Sequence, residues 1–123
     1  MSTSRPALPE PLPSPVTDAH THLGSSTVSG GLGADEAVPL AASVNVTRLV
    51  DVGCDVASSR EAILNAENHP AVIATVALHP NDAARMASVD EHLRQIEALA
   101  TASERVRGVG ETGLDFYRTT DAA

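Results

Sequence analysis

Cysteine, phenylalanine and tyrosine occur once each in the 123 residues, and tryptophan and lysine do not occur at all. A single cysteine, Cys54, excludes an intramolecular disulfide framework and a zinc site built from several thiolates. With Phe116 and Tyr117 as the only aromatics, side by side near the end, any core has to be assembled from Val, Leu, Ile and Ala. Basic residues are scarce too: eight against sixteen acidic ones, a net charge of −8. That balance argues against a basic nucleic-acid-binding surface, though not against an enzyme that grips phosphate through metal ions. No apolar run approaches the roughly eighteen residues of a membrane-spanning helix, so no membrane partner is expected.

What is present suits one domain. Apolar residues make up 42% of the chain, enough for a core. Residues 1–15 read as a proline-rich flexible tail, because Pro6, Pro9, Pro11, Pro13 and Pro15 remove backbone donors and favour an extended path. The tail lacks the apolar stretch of a secretory signal, so a cytoplasmic location is the default expectation. Residues 16–123 read as the folded part.

Within that part, strands alternate with helices. Val16 to His20, Arg48 to Gly53, Ala71 to Leu78 and Val106 to Gly110 read as strands; the third is a continuous apolar run, as expected of a strand buried on both faces. Residues 24–33, with Gly30, Gly31 and Gly33, read as a loop. Three helices are expected. Asp35 to Val44 is weak, with Asp35 as cap, Pro39 as a flaw and Asn45 at a left-handed end. Val56 to about Asn68 is capped by Asp55 and stopped by Pro70. The third follows a Ser88/Glu91 capping-box pattern, with Val89, Leu93, Ile96 and Ala100 at helical spacing. The order β-α-β-α-β-α-β implies a parallel α/β sheet with strand order 1-2-3-4 and helices on one face. The expected core face includes Val50, Val52, Val72, Ala74, Val76 and Val109.

Ionisable residues gather at the C-terminal ends of the strands, where α/β folds build their sites. His20 and His22 lie two apart, so a strand presents both imidazoles on one side, to one ion; Asp18 shares their parity and is a candidate to orient a ligand. Glu111 closes a buried strand, where an unpaired carboxylate is unfavourable and a metal ion offsets that cost. An N-cap or salt-bridged Glu is the plainer reading of Glu111, and two unrelated histidines that of His20 and His22. His79, in His79-Pro80-Asn81-Asp82, is a substrate contact, an acid, or simply a loop histidine. Cys54, in a βα turn, reads as a buried structural thiol. His69 and His92 read as solvated and Arg105 as surface charge, whereas Arg118 follows Phe116-Tyr117 just beyond the Glu111 segment.

Four segments in order, Thr17-Asp18-Ala19-His20-Thr21-His22-Leu23, Arg48 to Asp55, Leu78 to Asp82, and Gly108-Val109-Gly110-Glu111-Thr112-Gly113-Leu114-Asp115-Phe116-Tyr117-Arg118, closely resemble the TatD family of metal-dependent hydrolases, often described as TatD-type deoxyribonucleases. The likeness runs from about residue 16 to residue 118 and is most specific at Glu111 to Arg118. It implies a (β/α)₈ barrel with divalent metals, two of them and Mg, Mn or Zn in kind, at the C-terminal face, hydrolysing phosphodiester bonds, typically of DNA. By the same resemblance His20, His22 and Glu111 are metal ligands, Glu111 is also the catalytic residue, His79 and Arg118 contact substrate, and Asp18 and Asp115 support the ligands from behind. Such a barrel takes roughly 250 residues, so the chain is expected to be the N-terminal half of one, truncated before the family's later ligands and with little activity alone.

Two other readings are open. Amidohydrolase-type barrels also begin with His-x-His and act on small molecules; they commonly bridge their metals with a modified lysine, and this chain contains none. Alternatively the chain is a non-catalytic half-barrel fragment whose two unpaired sheet edges invite association.

Overall fold

The computed structural model describes residues 6–24 and 32–119. Its elements are β1 (Val16–Thr21), α1 (Ala34–Ser43), β2 (Val46–Val52), α2 (Val56–Asn68), β3 (Val72–Val76), α3 (Pro80–Ala83), α4 (Val89–Ala100) and β4 (Val106–Val109). The four strands form one sheet in the order β1-β2-β3-β4, every pair parallel. Sequential parallel order with helical crossovers is the architecture of half an eight-stranded α/β barrel. Of the expected loop at 24–33, Gly30 and Gly31 lie outside the described residues, as do residues 1–5 of the tail.

The pairing register corrects the expected core face. Leu49 pairs with Val72 and Asp51 with Ala74, while Val50 pairs with Ile73 and Val52 with Thr75. Since neighbours along a strand point to opposite faces, Val50 and Val52 lie opposite to Val72, Ala74 and Val76. The helix-covered face is therefore Leu49, Val72, Ala74 and Val76, packed against Val56, Ala62, Ile63, Ala66 and Ile96 of the helices. Val50 is only half-buried, and Val109, on the outer strand, is 61% exposed. Val52 is buried all the same, at the C-terminal edge.

Local chemistry explains most helix ends. Asp55 caps α2 through a reciprocal pair with Ser58: Asp55 Oδ1 accepts the Ser58 N–H at 2.7 Å and Ser58 Oγ accepts the Asp55 N–H at 3.0 Å. The helix stops at Asn68, ahead of Pro70. Gly33, not Asp35, caps α1; Asp35 sits in the first turn, where a negative charge suits the helix dipole. Asn45 has φ 67°, the left-handed conformation expected just past that helix. Ser88 caps α4 without a side-chain hydrogen bond, and Glu91 instead bonds Arg94 and Gln95, so the expected capping box does not form. A fourth helix, α3, occupies what reads as the His79–Asp82 loop: Pro80 starts it and His79 Nδ1 accepts the Asn81 N–H at 3.1 Å.

Three other residues are more engaged than the sequence implies. His69 Nε2 lies 2.9 Å from Asp35 Oδ1, and the His92 ring bonds the Ser88 carbonyl. Arg105 donates to the carbonyls of Ala66, Pro70 and Val72, closing the junction between α2 and β3. Asp51, 3% exposed, is the one buried carboxylate among the described residues. Its oxygens accept from the Leu23 N–H at 3.0 Å and the Asn65 amide at 2.8 Å, which satisfies the charge and fixes the chain leaving β1 against α2.

Candidate metal centre

β1 and β4 are separated by two strands, which in a flat sheet at about 4.8 Å spacing puts them ~14 Å apart. Their side chains nevertheless meet: His20 Nε2 lies 3.3 Å from Glu111 Oε1. The two side chains reach towards each other past the strand ends, Glu111 from beyond the last residue of β4. The His22 ring stands edge-on to His20, with centroids 5.1 Å apart. One ligand atom from each of His20, His22 and Glu111 falls within 4.8 Å of the other two, the one such group of three among the described residues.

Each donor is positioned by local structure. A register shift in β1 between Asp18 and Thr21 bulges the strand at His20, and His22 follows just past the strand's end. Thr21 Oγ1 ties the bulge down by donating to the Val50 carbonyl at 2.8 Å. Asp18 Oδ1 accepts the backbone N–H of His20 at 3.1 Å, so it shapes the bulge and leaves the His20 ring alone. His22 Nδ1 lies 2.8 Å from the Val52 carbonyl, which can only accept; Nδ1 therefore carries the proton and Nε2 keeps its lone pair for an ion. Glu111 has φ 48°, an uncommon conformation for a residue with a side chain, as its segment turns off the end of β4.

Cys54 belongs to this cluster as well, which the sequence does not reveal. Its Sγ donates to Glu111 Oε2 at 3.0 Å and lies 4.0 Å from His22 Nδ1. The thiol is partly exposed rather than a buried core group. Fifty-seven residues separate it from Glu111, and the one available signal is its place at the C-terminal edge of β2. Burial, then the Glu111 hydrogen bond and charge, with Asp82 and Asp55 adding to them, push its pKa up from 9.0 to about 12. The raised value favours folding below pH 9, and that contribution is lost as pH climbs from about 9 towards about 12. Alkylation by iodoacetamide at pH 9 is expected to be at least about tenfold slower for the folded chain than for the chain in urea, because the thiolate is the nucleophile. Equal rates contradict the Cys54–Glu111 bond.

The remaining expected site residues are nearby in the fold but outside the cluster. His79 lies three residues past β3 as the cap of α3, its Nδ1 occupied by the Asn81 N–H. Asp115 Oδ1 accepts the backbone N–H groups of Tyr117 and Arg118 at 2.9 and 2.8 Å. Those bonds, that of Arg118 foremost, and one from the Asn81 side chain hold its carboxyl below the usual range. Arg118 is exposed, as are Phe116 and Tyr117. Asp51 and Asp55, also at this edge, serve α2. Two imidazoles and a carboxylate are a donor set suited to a first-row divalent ion, and His20, His22 and Glu111 fit one.

The family model described as "TatD related DNase" matches residues 17–123. Over 102 residues the chain is 39% identical to an "Uncharacterized metal-dependent hydrolase TatD" of Mycobacterium tuberculosis, covering 83% of this chain and 38% of that protein. Over 100 residues it is 33% identical to an "Uncharacterized metal-dependent hydrolase YabD" of Bacillus subtilis, covering 81% of this chain and 37% of that one. The matched region thus spans well under half the length of these relatives. Among the described residues no helix is long and apolar enough to cross a membrane.

Proposed function

The chain belongs to the TatD-related DNase family, and from that premise we propose that it forms the metal-holding first half of a divalent-metal-dependent phosphodiesterase whose substrate is DNA. The observation that carries this reading is the convergence of His20, His22 and Glu111 at the C-terminal edge of the parallel sheet. His22 meets an ion through Nε2, because Nδ1 is committed to Val52. His20, His22 and Glu111 would together hold a divalent ion, and Mg²⁺, Mn²⁺ and Zn²⁺ all accept such donors. When bound, divalent ions supply Lewis acidity for transfer of the phosphoryl group to water and offset the charge that develops.

The other residues bind and orient. With Nδ1 accepting from Asn81, neutral His79 carries its proton on Nε2 and donates it in a hydrogen bond to a phosphate oxygen. Arg118 offers a guanidinium to the same phosphate, on a turn that Asp115 fixes. With a net charge of −8, the chain relies on metal ions rather than a basic surface to hold DNA.

Equilibrium dialysis of the 123-residue chain against Zn²⁺ tests the site. Saturable uptake is expected, weakened by about 100-fold or more in His20→Ala and in His22→Ala, since each removes a direct donor. Uptake unchanged in the double variant overturns the reading.

A further inference from the structure

Cys54 stands between the two strand ends that supply the metal donors, and the proposed chemistry gives it no task. Its backbone is unusually well fixed. The Cys54 N–H donates to Ser58 Oγ at 2.9 Å, within the α2 cap, and its carbonyl accepts the His79 N–H at 2.7 Å, at the cap of α3. The thiol is therefore a donor held by three elements, aimed at Glu111 Oε2 at 3.0 Å. The other carboxylate oxygen, Oε1, is the one that faces His20. Glu111 itself sits on a turn with φ 48°, beyond the last ladder bond of an outer strand.

We propose that Cys54 is the positioning residue of the metal centre: its S–H bond to Oε2 fixes the rotation of the Glu111 carboxylate so that Oε1 is presented to the ion alongside His20 and His22, and the sulfur itself does not ligate. This rests on the reading of His20, His22 and Glu111 as ligands. Groups that orient a metal ligand from behind are worth about 10–100-fold in metal affinity. The thiol suits the task because it is small and donates a single hydrogen bond, to Glu111 Oε2 at 3.0 Å. A direct thiolate ligand would instead bring a second negative charge against Glu111 and favour thiophilic ions.

The test is Zn²⁺ and Cd²⁺ titration of the 123-residue chain and its variants, with far-UV circular dichroism as the check on folding. Cys54→Ala is expected to bind Zn²⁺ about 10–100-fold more weakly, and Cys54→Ser, which keeps a donor, within about threefold of the parent. In a Glu111→Gln background, Cys54→Ala is expected to have little further effect, because the carboxylate it orients is gone; a general structural role for Cys54 would persist there. Cd²⁺ is expected to give no ultraviolet cadmium–thiolate absorption. The proposal is overturned if Cys54→Ala binds as tightly as the parent, if Cys54→Ser behaves like Cys54→Ala, if the two losses add fully, or if the cadmium–thiolate band appears. Unchanged metal binding in the His20→Ala/His22→Ala double variant is a different failure, of the ligand set itself.

Discussion

Gly53→Ala is expected to destabilise the chain by about 3 kcal/mol or more, because the added methyl has nowhere to go. A Cβ at this position would lie 2.4 Å from Ser59 Oγ, 2.6 Å from Ser59 Cα and 2.9 Å from Ser59 Cβ. Ser59 is fully buried, and its hydroxyl accepts the Ala77 N–H at 3.3 Å, so the side chain cannot swing aside without orphaning a buried donor. The backbone Cα cannot move unless α2 moves. Gly53 is pinned too, by its N–H to the Thr75 carbonyl at 2.9 Å. Thermal unfolding followed by circular dichroism is expected to show a midpoint more than about 10 °C lower, at ~4–8 °C per kcal/mol for a domain of this size. Gly53→Ala/Ser59→Gly should recover only part, since it removes the Oγ and Cβ contacts and leaves the one to Cα. Gly33, with nothing within 4 Å of its Cβ position, is the control: Gly33→Ser adds a favoured N-cap residue in open space and is expected to change little or stabilise. A Gly53→Ala midpoint within 2 °C of the parent, on the order of measurement error, rules out the close approach.

That close approach links fold to site. α2 packs onto the end of β2 at Gly53, and the next two residues are Cys54 and the α2 cap Asp55. Whatever holds the helix against the strand also aims the thiol at Glu111.

Local signals in the sequence carried the elements that local chemistry decides. Asp55, Pro70 and Asn45 mark helix ends because caps and φ preferences act within a few residues. The alternation of strands and helices gave the parallel order, since parallel strands need crossovers. What the sequence does not carry is parity. Ala71 to Leu78 is a nearly continuous apolar run, so nothing in it tells which alternate set meets the helices, and in Arg48 to Gly53 the charged residue inside the strand, Asp51, is itself buried on the helix side; only the pairing of Leu49 with Val72 and Asp51 with Ala74 shows the parity. The four-residue α3 is invisible for the opposite reason: His-Pro-Asn-Asp satisfies a turn as well as a helix start. The His20/His22 pair was legible by its spacing, and its approach to Glu111 through the likeness of the whole segment set to a known family. Cys54 carried neither a spacing nor a charge, and its partner is 57 residues away.

The largest functional effect is expected at Glu111. Placed in the Mycobacterium tuberculosis relative in exchange for the matching segment, residues 17–119 should support metal-dependent cleavage of a chromogenic phosphodiester, and Glu111→Gln in that chimera should lower it by about 10³-fold. Gln keeps the shape and removes the charge. It has one oxygen where the carboxylate has two, so it cannot both accept from Cys54 and face the ion with His20, and it does not neutralise a divalent ion. Loss of the interactions a metal makes with developing charge is worth several kcal/mol, and about 4 kcal/mol is ~10³ in rate. The 123-residue chain by itself is expected to turn over no detectable substrate. His20, His22 and Glu111 would supply at most three protein ligands, fewer than a two-metal site needs, and a misplacement of about 1 Å alone costs ~10² in rate. His20→Ala in the chimera should match Glu111→Gln within about tenfold, because the two side chains serve the same ion. A Glu111→Gln chimera with the parent's circular dichroism and activity within about threefold of it would remove Glu111 from the chemistry and leave its contact with His20 an ordinary hydrogen bond.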